Sequence, residues 1–215
     1  VYQSRPPSVP SQLAWPIDPL ASEAPALDHP PPQTHPVFAI QADLRKPEEL
    51  ERVVELTLAR YDRIDLLVNC AAYSIWGSLL TDDRALDSLE QQLQMNVAVP
   101  LRLSMLVARR CWRDRAAENA RRNRHIIHVS SMAGLQIYPD QGQAIYSASK
   151  AALNYLTMHM AQELRIINVR VNATAPNSFP HVITTESAAD GLVRLDEGTA
   201  TGKILVQDRD GERLI

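Results

Sequence analysis

The spacing of short apolar runs constrains this chain more than any other feature. Val37-Phe-Ala-Ile-Gln-Ala-Asp43, Ile64-Asp-Leu-Leu-Val-Asn-Cys-Ala-Ala72, Arg124–Ser130 and Asn168–Pro176 are short and rich in apolar residues, the pattern of strands buried on both faces. Between them the apolar residues recur three or four apart. Pro47–Arg60 carries Leu50, Val53, Val54, Leu56 and Leu58, about Asp83–Trp112 carries Leu86, Leu89, Leu93, Val97 and Met105, and Gln143–Leu164 follows. This periodicity predicts helices. Strand and helix alternate at βαβ spacing, so the expected fold is α/β, a parallel sheet covered by helices on both faces.

The second predicted helix places Asn96 on its apolar stripe, where an amide needs a partner. Pro100, four residues on, has no N–H and predicts a kink that frees a carbonyl near Asn96. The third helix opens with Tyr146-Ser-Ala-Ser-Lys150. Tyr146 and Lys150 are one turn apart and share a face. A free phenol, with pKa about 10, is a poor acid or base at neutral pH, but a fixed ammonium favours the phenolate. Lys150 then acts as tuner and Tyr146 as proton carrier. Ser131, ending the run Ile126–Ser131, is expected to donate a hydrogen bond to an oxygen on which charge develops, polarising it without attacking it. A plain alternative is a solvated helix with a core tyrosine.

With 215 residues and 45% hydrophobic content the chain fits one α/β domain with a sizeable core. The net charge of −3 gives no reason to expect nucleic acid, and no stretch has the apolar length to span a membrane. The basic residues between Arg109 and Arg124 read as a solvated helix end and loop. His125 and His128 alternate on one strand with no cysteine or carboxylate beside them, so they read as structural and no metal is expected. Cys70 and Cys111 are too few and too scattered for a metal site. A reducing cytoplasm is the expected compartment, and no signal peptide is recognisable.

From about Val37 to the C-terminus the chain resembles the short-chain dehydrogenase/reductase family. Gln41-Ala-Asp43-Leu44, Asn69-Cys-Ala-Ala72, Asn96-Val97, and Ser131 with Tyr146 and Lys150 fall in the family's order. Arg170–Pro176 looks like the family's strand that ends beside the nicotinamide, and Gly202–Asp208 like its final strand. The resemblance implies a Rossmann-like, doubly wound parallel sheet and an oxidoreductase using NADP or NAD. A carbonyl or a conjugated C=N or C=C group would be reduced, or the matching alcohol oxidised. Tyr146 would be the general acid or base, Ser131 would orient the substrate oxygen, Lys150 would also bind the nicotinamide ribose, and Asn96 would hold a water relaying protons to Lys150. Asp43, with Leu44, would meet the adenine, Asn69 and Ala71 would line the adenosine ribose, and Pro176 would lie beside the nicotinamide. The resemblance also implies a small-molecule substrate and a homodimer or homotetramer.

One family feature is missing. The glycine-rich phosphate loop belongs several tens of residues before Asp43, yet the first glycine of the chain is Gly77. Residues 1–36 hold ten of the fifteen prolines instead and read as a Pro-rich segment preceding a catalytic domain over 37–215. On the favoured reading the chain begins inside the fold. Val1-Tyr-Gln3 is then the tail of a second strand, and Arg5 falls where many members carry a basic residue for the 2′-phosphate, which makes NADP the preferred cofactor. On the other, the protein is a degenerate, cofactor-free binding or regulatory subunit. Substrate specificity is expected from residues 73–80, 135–143 and 177–185, with Tyr73, Trp76, Ile137, Tyr138 and Phe179 making a partly hydrophobic cleft.

Overall fold

The computed structural model of the protein describes residues 1, 38–179 and 181–215. They fall into two compact units, Val1–Asp62 and Arg63–Ile215, so the single domain expected over 37–215 divides at 62/63. In the first unit, α1 (Pro47–Tyr61) begins with proline near its first turn, where a missing N–H costs nothing, and ends on left-handed Asp62. Its buried Val53 and Leu56 pack on Ile40 and Ala42, with Phe38 and Leu44 alongside. Of the expected strand over 37–43, the described residues show a bridge at Gln41. Ile40 and Ala42 alternate inward as in a strand and are buried beside Val53 and Leu56 of α1.

The second unit is built on a five-stranded sheet in chain order: β1 (Leu66–Asn69), β2 (His125–Val129), β3 (Arg170–Pro176), β4 (Ile204–Asp208) and β5 (Gly211–Leu214). The first four run parallel, with Leu66 opposite His125, Ile126 opposite Val171 and Ala173 opposite Ile204. Helix α6 (Ala144–Leu164) covers one face and α7 (Thr185–Glu197) the other. Ile127, Leu205 and Leu195 make the core beneath α7, while Thr157 of α6 meets His128 of β2. This is the parallel α/β sheet that the apolar spacing predicts, Rossmann-like as the resemblance implies. Strand β5 is antiparallel to β4 and was not legible: its residues are all exposed, so no alternation marks it.

The predicted helix over Asp83–Trp112 is a series of segments. They are α2 (Asp83–Asp87), α3 (Leu89–Leu93), a π-turn over Gln94–Ala98, α4 (Val99–Val107) and a second π-turn over Ala108–Trp112. Pro100 sits in the first turn of α4, and Val99 donates its N–H to the Gln94 carbonyl five residues back. Proline thus widens the helix locally. Helix α5 (Ala116–Arg121) follows before β2.

Two buried polar chains thread the sheet. Thr157 gives its hydroxyl proton to the Leu153 carbonyl (2.8 Å), so it accepts from His128 Nδ1 (2.8 Å). His128 Nε2 then accepts from the Ser104 hydroxyl (3.4 Å), which in turn accepts the Asn69 amide (3.0 Å). On the other face, Asn172 donates to Ala200 O (2.7 Å) and accepts from Lys203 N (3.0 Å), which orients its amide to donate to His125 Nε2 (2.8 Å). Burial holds both histidines neutral, each lowered from 6.5 to about 3.

An unfolded chain therefore takes up these protons first on acidification, and stability is lost as pH falls from about 6.5 towards 3. We expect the unfolding free energy from urea titrations to drop steeply in that window, by about 3 kcal/mol per histidine at pH 4, with the midpoint falling in step. His128→Gln should remove roughly half of the drop. A midpoint flat between pH 6.5 and 4 would contradict the neutral buried state.

Candidate active site

Tyr146 and Lys150 project from the first turns of α6 towards the end of β2. What brings Ser131 to them is a close approach of backbones. Ser131 caps a short 3₁₀ turn, Met132–Gly134, its hydroxyl oxygen accepting from Ala133 N at 3.1 Å. Gly134 lies so near α6 that a Cβ there would stand 2.7 Å from the Lys150 carbonyl carbon. Any other residue would push the turn, and Ser131 with it, away from Tyr146.

Lys150 is only 2% exposed, and its Nζ donates to the Val129 carbonyl at 2.8 Å. Burial lowers its pKa to about 8. The ammonium stands 5.7 Å from the centre of the Tyr146 ring. The phenol's own pKa is raised, because burial disfavours the phenolate, with the Ser131 hydroxyl pulling part of the way back. The expected depression by Lys150 is therefore not what this structure displays: desolvation outweighs it while Lys150 is directed at Val129.

Asn96 is fully buried in the π-turn. Its Oδ1 accepts from Tyr73 N (2.8 Å), and its Nδ2 donates to Tyr73 O (2.8 Å) and Ser149 Oγ (3.0 Å). The amide thus clamps the loop after β1 to α6 and has no donor left. Only the main-chain carbonyl of Asn96 is available to a water, and Pro100, having no N–H, leaves it without the usual partner four residues on.

Ser131, Tyr146 and Pro176 share a cavity of about 450 Å³. Trp76, Tyr138 and Phe179 line it as expected. Tyr73 and Ile137 do not: the former is held by Asn96, and the latter is 91% exposed outside the cavity. The Trp76 ring lies 6.5 Å from that of Tyr146, tilted by 48°. Two devices that frame this space escape the sequence reading. Gly77 N donates to Gly142 O at 2.7 Å, and Gly142, at φ +61°, approaches the Gly77 backbone too closely for a Cβ. This pair fastens the loop after β1 to the loop before α6, and two glycines facing each other from loops far apart in sequence carry no local signal. Asn177, following β3, donates to Asp208 Oδ1 (2.9 Å) while its own Oδ1 faces the Tyr138 hydroxyl at 3.5 Å. It adopts no left-handed backbone, so the Pro-Asn pair needs none of glycine's freedom.

The remaining candidate residues separate. Asn69, 7% exposed, spends its amide on Ser104, and Ala71 is exposed on the loop that follows. Asp43 and Leu44 lie in the first unit, where Arg45 takes both Asp43 oxygens (2.8 and 2.7 Å) and holds its pKa down to about 2. Leu44 packs beside Ile40 and Ala42. Arg5 falls outside the described residues.

A family model described as short chain dehydrogenase matches residues 20–190. The rhamnolipids biosynthesis 3-oxoacyl-acyl-carrier-protein reductase of Pseudomonas aeruginosa is 33% identical over 152 residues, 71% of this chain and 57% of that protein. The 3-oxoacyl-acyl-carrier-protein reductase of Synechocystis is 28% identical over 157 residues, 73% of this chain and 59% of that protein. The chain thus spans under three fifths of the length of these curated relatives. Among solved structures, a short-chain dehydrogenase/reductase from Serratia marcescens BCRC 10948 superposes with a TM-score of 0.66 at 28% identity, covering 80% of this chain and 76% of that one. The matched segment spans the strands and helices that carry Ser131, Tyr146 and Lys150, and the chain belongs to the short-chain dehydrogenase family.

Proposed function

We propose that the protein is an NADP- or NAD-dependent oxidoreductase that reduces a carbonyl or conjugated C=N or C=C group, or oxidises the matching alcohol. The observation that carries this reading is the Tyr146 phenol, sharing a cavity with Ser131 and Pro176, with buried Lys150 behind it. The two bacterial relatives, both named as 3-oxoacyl-acyl-carrier-protein reductases, support carbonyl reduction.

The Tyr146 phenol and the apolar wall of Pro176 line one space, with the Lys150 ammonium 5.7 Å from the Tyr146 ring, a set of groups that suits the nicotinamide and its ribose. When bound, the nicotinamide supplies or accepts the hydride. The protein's residues manage the proton and the geometry. Ser131, whose oxygen already accepts from Ala133, has its hydroxyl proton free to bond the substrate oxygen. Tyr146 passes its proton to that oxygen, and a raised pKa makes the neutral phenol the resting form, ready as an acid. The Asn96 carbonyl would hold the relaying water, its side chain being committed elsewhere. A second reading is a cofactor-free binding or regulatory subunit: residues 1–76 hold no glycine, so they offer no glycine-rich turn for a pyrophosphate. Half-exposed Leu86, Leu89 and Leu93, with Tyr155 and Met158 of α6, support assembly as a homodimer or homotetramer.

We expect NADPH or NADH to bind the folded protein with a Kd of about micromolar order. Failure of both to bind at about millimolar concentration would select the cofactor-free reading. In steady-state kinetics, Tyr146→Phe should lower kcat about a thousandfold with little change in KM. A variant retaining more than about a tenth of wild-type kcat would remove Tyr146 from the proton step.

A further inference from the structure

The class of carbonyl compound can be read from the same cavity, an inference that rests on the reductase reading above. We infer that the site selects uncharged, ring-bearing carbonyl compounds and discriminates against carboxylates and phosphates. Among the described residues, no lysine, arginine, histidine, aspartate or glutamate lines the cavity. Its polar lining is made of hydroxyls and amides, among them Ser131, Tyr138, Gln141, Gln143 and Asn177. These groups can bond a neutral ligand but cannot neutralise an anion, and an anion taken out of water without a cation is strongly disfavoured.

The surrounding charges point the same way. Lys150 does not line the cavity and spends a proton on the Val129 carbonyl. His181, on the segment after Asn177, is exposed and also outside the lining. Of the charged groups beside the lining, Lys150 stands 5.7 Å from the Tyr146 ring centre, while on the side of Asn177 the neighbour is a carboxylate, Asp208, 2.9 Å behind the amide. Asn177 and the Arg209 N–H hold Asp208 ionised. A second carboxylate or a phosphate entering here meets like charge.

The apolar lining selects for a ring. Trp76 and Phe179 are 51% and 41% exposed, unusual for such large apolar side chains, and both present their rings to the cavity with Met132 and Val182. Trp76 lies against Tyr146, so a flat group stacked on it would stand next to the proton donor.

Three α-keto compounds separate charge from ring: ethyl benzoylformate (neutral, ring), benzoylformate (anionic, ring) and ethyl pyruvate (neutral, no ring). With NADPH and the whole protein, kcat/KM for ethyl benzoylformate should exceed that for benzoylformate about 100-fold and that for ethyl pyruvate about tenfold. Gln141→Lys should raise kcat/KM for benzoylformate about tenfold, and Trp76→Ala should erase the ring preference through KM with kcat held. Equal reduction of acid and ester overturns the charge selection and leaves the reductase reading standing. Equal reduction of ethyl pyruvate overturns the ring selection. Binding is followed separately by quenching of tryptophan emission, with Trp76→Phe as control. If nothing is reduced but the ester alone quenches Trp76, the selection for neutral ring compounds stands and the reductase reading falls. If nothing is reduced and nothing quenches, both fall.

Discussion

The contact between Gly134 and the backbone of α6 at Lys150 is the one on which the candidate active site depends. It sets how near the end of β2 comes to the first turns of α6, and therefore how near a serine at the end of a strand comes to a tyrosine on a helix. Everything else around the site braces that junction. Asn96 ties the loop after β1 to Ser149, the Gly77–Gly142 bond ties that loop to the one before α6, and Asp208 holds Asn177 at the end of β3. The site is thus assembled from the ends of three parallel strands, where loops converge and can be varied without disturbing the sheet.

Burial and charge then set the chemistry. Lys150 and Tyr146 are both shielded from water, and shielding acts on them in opposite senses, lowering the lysine's proton affinity and raising that of the phenol. Desolvation makes both neutral forms easier to reach. A neutral phenol is the form that can deliver a proton, and a phenolate the form that can accept one.

The elements that sequence periodicity revealed are those whose pattern is decided by burial. Strands β2 and β3 and helices α1 and α6 each bury a face against the rest of their unit, and their positions follow from it. The pairing of Tyr146 with Lys150 was legible for the same reason, since helical spacing alone places them together. Less legible were features fixed by contacts between distant segments. The exposed strand β5 has no buried face, the π-turn at Asn96 needs both Pro100 and the Tyr73 backbone, and Tyr73 and Ile137 differ from Trp76 only in what their neighbours do with them. In the segment 38–43 the alternating pattern identified which residues face inward, Ile40 and Ala42.

The hydrogen-bonded chain from Asn69 through Ser104 and His128 to Thr157 bears on how charge moves. Each member has one donor direction open to it, and the last proton is tied to a helix carbonyl. For a proton to pass from Lys150 into the sheet, His128 would have to become a cation in a place where its pKa is about 3. The floor of the site is therefore an insulator: the sheet beneath keeps out of any exchange of protons above it.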